Sequence, residues 1–365
     1  MYVVNEYPDL TPNYGGIAVV VKNEVEYFLT KGYSVHVVLV LKEKRVGQFF
    51  PDYVVPFYWP IKGMFRGLRF RFSLIRSLNK QYNKSDIVIT SDYAGLIPWY
   101  LRPQKIVQLH ESLSLKASKQ GKNIGILTYL LEYLTILTSN KIRAVSNSVL
   151  VDSSLRFPYV NRINSEVIYN GTLDPRQLYA EVGVNEPRVI FIGKLSRLKG
   201  VDFLDEIINS VQKRVPNSKF TIIGHDEIEN GISQRDQLRK NLFYQDSVLF
   251  IDRVDNAEIT RYLFENKLLI LPSRTEALPM VVLEAFSCSK PVVAFNVGGL
   301  GEMLNDGKEG FLISQFDVKM FSNKIVQILL DCELQDTLSK SARLRYERSF
   351  EAKKVFSDLE VFYLS

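Results

Sequence analysis

Apolar residues gather along the chain in short β-branched runs, nearly unbroken and without the alternation of a half-exposed strand. Such runs predict strands near Tyr2–Asn5, Ser34–Leu41, Asp86–Ser91, Lys105–His110, Ile142–Val145 and Ser165–Tyr169. A second series predicts strands near Arg188–Gly193, Lys219–Gly224, Ser247–Asp252, Leu268–Pro272, Pro291–Asn296 and Gly310–Ile313. A strand covered on both faces reads this way, which favours parallel sheets flanked by helices. Helical spacing of apolar residues lies between the runs, as at Ile17–Thr30, Val201–Val215, Asn256–Glu265 and Val318–Leu330. Strand and helix alternating in this manner imply two doubly wound α/β domains. Asn-Gly, Asp-Pro and Glu-Pro punctuate Asn170–Glu186 and place the boundary there. The length of 365 residues agrees with two domains. Ligands of open α/β sheets bind beyond the carboxyl ends of the strands, so two such sheets facing each other would share one site in the cleft.

Composition narrows the class. Hydrophobic residues make up 46% and charged residues 24%, which excludes disorder, collagen and a disulfide scaffold. The two cysteines, Cys288 and Cys332, and histidines scattered at 36, 110 and 225 cannot build a Cys-His metal cluster. Sparse cysteine suits a reducing compartment. Apolar runs such as Val35–Leu41 and Ile126–Leu137 are too short or interrupted to span a bilayer. Glu6 and Asp9 argue against a signal peptide, and because the chain opens inside a strand a few residues are expected to precede it. Charge is uneven: residues 1–170 carry 21 Lys+Arg against 12 Asp+Glu (+9), and residues 171–365 carry 25 against 28 (−3). The basic half is expected to meet something anionic.

Chemistry-bearing residues fall in four segments. In Leu268–Glu302 a predicted strand ends at Pro272, a loop carries Glu276, and Pro279 suits the first turn of a helix that carries Glu284. Glu284 stands among Val281, Val282, Leu283 and Ala285, where an unpaired carboxylate is costly; a ribose would give it two hydroxyl donors. A capping or salt-bridge role would also account for it. The free backbone N–H groups of the helix start, around Leu278–Met280, would form an anion site, and a glycine turn follows at Gly298–Gly299. In Val189–Gly200, Lys194, Arg197 and Lys199 line a strand-to-helix loop, either a diphosphate cradle or a solvated basic loop. The Walker spacing is absent, and neither half has Gly-x-Gly-x-x-Gly after its first strand, which argues against a nicotinamide dehydrogenase. Gly15 and Gly16 follow the first strand and would let backbone approach a ligand, or merely supply a turn. His110 ends a predicted strand, where it could meet a sugar hydroxyl or a departing phosphate, or serve the structure.

Taken together, these segments resemble the family 4 retaining glycosyltransferases of the GT-B fold, over nearly the whole chain. The landmarks are Gly-Lys-Leu…Lys-Gly at 193–200, Ile-Ile-Gly at 222–224, Pro-Ser at 272–273, the glutamates 276 and 284, Pro-Val-Val at 291–293 and Gly-Gly…Glu at 298–302. Val-Ser-Asn at 145–147 and Ile-Tyr-Asn-Gly at 168–171 join them. The resemblance implies an acceptor-side domain over residues 1–170 and a nucleotide-sugar-binding domain over 171–348. A C-terminal helix over 349–365 is implied to return to the first domain. It implies Glu284 on the ribose, Glu276 on the donor sugar, Lys194 and Lys199 on the diphosphate, and the backbone of Leu278–Met280 on phosphate or sugar. Gly15 and Gly16 would close over the phosphates, His110 would lie near the reacting carbon, and the base would sit by Arg253 and Val254. Catalysis would fall to His110, Lys199 and Glu276, with no cofactor and, since no Asp-x-Asp triplet occurs, no metal. Three departures stand out: Lys194 where arginine is usual, which Arg197 could compensate, and Ala277 and Ser289 where glycine is usual.

The implied reaction moves a hexose, from a UDP-sugar in preference to a GDP-sugar, to a hydroxyl of a glycan or lipid-linked acceptor, with retention of configuration. Residues 61–84 bear on the acceptor. Phe65, Leu68, Phe72, Ile75 and Leu78 recur at helical spacing, and seven cations precede the first acid, Asp86. A basic amphipathic helix reads as peripheral contact with the cytoplasmic face of a membrane, or as an ordinary helix with solvated cations. No nucleic-acid-binding module is recognised. A nucleotide-sugar epimerase of the same fold and a non-catalytic nucleotide-sugar-binding subunit are the alternatives.

Overall fold

The computed structural model describes residues 1–5, 16–41, 51–58, 86–91, 104–110, 117, 125–177 and 186–365. The chain forms two compact units, Met1–Tyr169 with Phe356–Ser365, and Asn170–Val355.

The first unit holds a seven-stranded sheet of β1 (Tyr2–Asn5), β2 (His36–Leu41), β3 (Val54–Tyr58), β4 (Ile87–Ser91), β5 (Gln104–Leu109), β6 (Lys141–Ala144) and β7 (Asn164–Val167). All neighbours are parallel, in the order β3-β2-β1-β4-β5-β6-β7. The apolar runs predicted these strands except β3, whose Pro56 argues against a strand. β3 is an edge strand paired only with β2, where a missing N–H is tolerated. Helices α1 (Gly16–Thr30), α2 (Ile126–Leu137) and α3 (Asn147–Arg156) accompany the sheet. The Ser146 hydroxyl caps α3 by accepting from the Val149 N–H at 3.2 Å.

The second unit repeats the plan. Its elements are β8 (Arg188–Ile192), α4 (Val201–Arg214), β9 (Lys219–Ile223), the antiparallel pair β10 (Ile228–Glu229) and β11 (Ile232–Ser233), α5 (Gln234–Asn241), β12 (Val248–Ile251) and α6 (Asn256–Phe264). There follow β13 (Leu268–Leu271), α7 (Met280–Ser287), β14 (Val292–Phe295), α8 (Leu300–Met303), β15 (Gly310–Ile313), α9 (Val318–Leu330) and α10 (Cys332–Ser349). Six parallel strands run β12-β9-β8-β13-β14-β15. Every residue of β13 and β14 is buried, which is why their sequences read as solid apolar blocks, whereas the edge strand β12 is partly exposed. Val201, Leu204, Ile207, Ile208 and Val211 form the buried stripe of α4. Ser289 adopts φ 59°, the left-handed region that glycine fits more easily, and its hydroxyl accepts a hydrogen bond from Arg176.

The last helix, α11 (Ala352–Leu364), runs from one unit into the other. Before it, the Thr172 N–H donates to the Phe350 carbonyl and the Ala352 N–H to the Thr172 carbonyl, both at 3.0 Å. In its last turn, Tyr363 stacks on Phe28 of α1 with ring centroids 5.7 Å apart, and Lys141 Nζ donates to the Phe362 carbonyl at 2.8 Å. Burial of these side chains integrates residues 356–365 with the first unit.

Candidate active site

In the second sheet, β9 and β12 lie to one side of β8, and β13, β14 and β15 lie to the other. The chain order therefore reverses between β8 and β13, and ligands of open α/β sheets bind beyond the carboxyl ends of the strands at such a point. The loops that leave β8 and β13 carry Lys194, Arg197, Lys199, Glu276, Leu278 and Pro279.

Lys199, after β8, and Glu276, after β13, meet across this point. Lys199 Nζ donates to Glu276 Oε1 at 2.7 Å and to Oε2 at 2.8 Å, and Ser273 Oγ donates to Oε1 at 2.7 Å. Glu276 is buried, and the cation and the hydroxyl satisfy its carboxylate. Backbone contacts hold the two loops in register. The Arg274 N–H donates to the Leu198 carbonyl at 2.9 Å. Gly200, at φ 75°, passes so close to Pro272 that a methyl group there would fall 1.9 Å from the Pro272 carbonyl oxygen. Gly298, at φ 54°, packs equally tightly on the Glu276 carbonyl, which accepts the Gly299 N–H at 3.0 Å. The two positions therefore require glycine on both conformational and steric grounds.

Glu284 lies in the middle of α7, half-buried. Its carboxylate makes no hydrogen bond or ion pair among the described residues, and desolvation pushes its pKa up from 4.5 to about 7. A carboxylate in that condition is an acceptor without a donor. Pro279 sits at the cap position of α7, one residue before its first helical residue, and no side chain caps the helix. In its first turn the Val282 N–H donates to the Pro279 carbonyl at 3.1 Å, which leaves the N–H groups of Met280 and Val281 to an anion, the positive end of the helix dipole adding to the attraction. Leu278 and Pro279 are buried and Met280 is half-buried.

The remaining cations are more exposed. Lys194 Nζ lies 2.5 Å from Glu227 Oε1. Arg197 Nε is 3.8 Å from Asp202 Oδ2. Arg253 and Val254 follow the carboxyl end of β12, two strands from β8.

In the first unit, His110 follows the last residue of β5 and is buried. Burial and then the Arg143 charge lower its pKa from 6.5 to about 3, so the imidazole is neutral at physiological pH. Arg143 is itself fully buried, with its Nη1 2.5 Å from Glu24 Oε1. Gly16 is the first residue of α1. Gly15 and residues 61–84 lie outside the described residues. Among the described residues no helix is long and apolar enough to cross a membrane.

Sequence reasoning missed the parts of Ser273, Asp202 and Arg274. Ser273 stands three residues before Glu276, a spacing that lets a serine hydroxyl reach a glutamate within one tight turn, so a local signal was present. A recess of about 510 Å³ lined by Arg188, Lys219, Arg239 and Val248 lies at the amino ends of β8, β9 and β12, the opposite end from these loops.

Residues 180–345 match the family model described as Glycosyl transferases group 1, and residues 14–172 match that described as Glycosyltransferase Family 4. An uncharacterised glycosyltransferase of Methanocaldococcus jannaschii is 30% identical over 266 residues, 71% of this chain and 67% of the relative. The capsular polysaccharide biosynthesis glycosyltransferase CapM of Staphylococcus aureus is 25% identical over 364 residues, 94% of this chain and 92% of CapM. The crystal structure of Anabaena HepE with UDP and glucose superposes with a TM-score of 0.76 at 18% identity, covering 100% of this chain and 99% of HepE.

Proposed function

Because this chain belongs to the family 4 glycosyltransferases of the GT-B fold, we propose that it transfers a hexose from a nucleotide-diphosphate sugar, a UDP-sugar in preference to a GDP-sugar. The acceptor is a hydroxyl of a glycan or lipid-linked glycan, transfer retains the anomeric configuration without a metal, and the product enters surface polysaccharide or glycolipid. The observation that carries this reading is the Lys199–Glu276 pair joining the loops that leave β8 and β13, where the strand order reverses. The complex of HepE with UDP and glucose supports the donor class, and the capsular role in the name of CapM supports the polysaccharide.

In this reading Glu284 accepts from the two ribose hydroxyls. The α7 N-terminus at Leu278–Met280, Lys199 and Lys194 hold the diphosphate, with Arg197 beside them. Arg253 and Val254 lie at the base, and Glu276 orients the sugar hydroxyls. The bond between the anomeric carbon and the diphosphate oxygen breaks, and its electron pair leaves with the phosphate. The acceptor oxygen bonds to the same face of the carbon, and its proton passes to the departing phosphate. Negative charge grows on that phosphate in the transition state, where Lys199 and the helix N-terminus stabilise it. Gly15 and Gly16 are assigned to the phosphates, and His110 to the sugar as a hydrogen-bonding group. A neutral imidazole with so low a pKa is a poor general acid.

A thermal-shift panel of UDP, GDP and their sugars tests the donor. UDP and at least one UDP-sugar are expected to raise Tm at millimolar concentration. No shift from any of them would reject the reading, and isomerisation of the sugar with donor alone would favour the epimerase. Peripheral membrane contact through residues 61–84 is part of the proposal. Co-sedimentation with vesicles rich in anionic lipid is expected, and Arg69→Glu with Arg76→Glu should weaken it about tenfold; equal pelleting of both proteins would remove that element.

A further inference from the structure

We propose that Arg274 is a positioning residue for glycosyl transfer, locking together the two loops that present Lys199 and Glu276. The inference rests on the assignment of those two residues to the donor. Arg274 stands between Ser273 and Glu276, yet its side chain engages other elements. Nη1 and Nη2 pair with Asp202 Oδ1 and Oδ2 at 2.7 and 2.8 Å, a bidentate fork onto the first turn of α4. Nη1 also donates to the Arg197 carbonyl at 2.5 Å, two residues before Lys199. The guanidinium lies 4.2 Å from the Phe203 ring centroid and 5.7 Å from that of Phe316. Its backbone is bound on both sides, the N–H to the Leu198 carbonyl and the carbonyl to Gln315 Nε2 at 3.1 Å.

One residue thus ties the loop after β13 to the loop after β8, to α4 and to the segment after β15. A planar fork that is paired bidentately and stacked on an aromatic ring is more directional than a lone surface ion pair. Phe316 supplies a second, independent observation. It is exposed and adopts φ 72°, a conformation unfavourable for a bulky side chain. Its ring nevertheless remains on Arg274 and Phe203. Strained backbone of this kind persists where surrounding contacts over-determine it. Since both terminal nitrogens of Arg274 already have protein partners, its effect on the donor is exerted through Lys199 and Glu276. Displacing a reacting or stabilising group by about 1 Å can cost on the order of a hundredfold in rate.

The test uses the full chain with UDP and UDP-glucose as probes. Release of UDP from UDP-glucose gives kcat and KM, calorimetry gives the UDP Kd, and Tm reports the fold. Arg274→Ala and Arg274→Lys are expected to lower kcat about twentyfold or more while changing the UDP Kd less than about fivefold. Arg274→Lys should recover the Tm lost by Arg274→Ala, because it keeps one ion contact, without recovering kcat, because it lacks the fork. Asp202→Asn should give the same split, and adding it to Arg274→Ala should lower kcat little further. Wild-type kcat in Arg274→Lys, or a loss that tracks the folded fraction, would overturn the inference alone. Failure of the wild-type protein to bind UDP would instead reject the donor assignment on which it rests.

Discussion

Replacing Lys199 with alanine is expected to lower the rate of glycosyl transfer by about two decades or more. A charge-assisted hydrogen bond contributes roughly 1.5–3 kcal/mol, and a preorganised donor aimed at developing charge is worth about a hundredfold or more in rate. The same change removes the cation from a buried carboxylate, leaving Glu276 with Ser273 Oγ alone among its described side-chain partners. Stripping one partner from a buried ion pair costs about 3–5 kcal/mol; with Lys199 itself 35% exposed, about 2–3 kcal/mol is the better expectation. Rate and stability therefore fall together in the single variant. Replacing both residues, Lys199→Met with Glu276→Gln, separates them: it removes both charges, so Tm should return most of the way while activity stays lost. Thermal unfolding and UDP release from a bound UDP-sugar measure the two effects. A Lys199→Ala enzyme at the wild-type rate would refute the electrostatic role.

The sheets were legible because their strands are covered on both faces. β13 and β14 are buried at every position, so nothing in their sequences alternates, and a short apolar block bounded by turn residues is too brief for a helix and reads as an interior strand. Legibility failed at the edge. β3 contains a proline and pairs with a single neighbour, and a strand with one free edge need not obey the rules that make interior strands recognisable. The fate of residues 356–365 was implied by family likeness rather than by pattern. α11 is one continuous helix, and which unit its far end joins is decided by distant partners such as Phe28 and Lys141.

The site was legible to the extent that its chemistry is local. Glu276 was recognisable as a carboxylate on the loop after a predicted strand, Glu284 as one among apolar neighbours, and Lys199 as a cation beside a helix start. Their pairing was not. Lys199 and Glu276 are 77 residues apart, and only the reversal of strand order between β8 and β13 makes their loops neighbours. Asp202 and Arg274, 72 residues apart, were invisible for the same reason. Close packing accounts for Gly200 and Gly298, two glycines that the linear reading noted only as part of a family landmark and of a glycine turn. In each case the neighbouring backbone is a carbonyl from the Pro272–Glu276 loop, so the glycines serve the approach of one loop to another.

Glu284→Gln is expected to stabilise the ligand-free protein above neutral pH while weakening its affinity for the donor. The carboxyl is desolvated, its pKa is raised from 4.5 to about 7, and no donor among the described residues repays that burial. Because the folded pKa lies above the unfolded one, the folded state binds more protons between the two values. Stability is thus lost as pH rises from about 4.5 to about 7, and the cost is fully present beyond it. A shift of this size corresponds to about 3 kcal/mol, on the order of 5 °C in Tm or more. The variant and the wild-type protein should therefore unfold at similar temperatures at pH 5 and diverge by pH 8, with the variant higher. Binding runs in the opposite sense, since the ionised carboxylate is the form that accepts from two ribose hydroxyls. Wild-type affinity for UDP-glucose, which has no titrating group in this range, should weaken by up to about tenfold per unit as pH falls below 7. In Glu284→Gln the affinity should be lower by about two decades and flat with pH, because an amide retains one acceptor oxygen but no charge. Calorimetric titration across pH 5.5–8.5, beside thermal unfolding of both proteins, measures both arms. If the two proteins bind UDP-glucose alike at pH 8, the ribose is held elsewhere, and the raised pKa of Glu284 would then mark a buried carboxyl that the donor does not use.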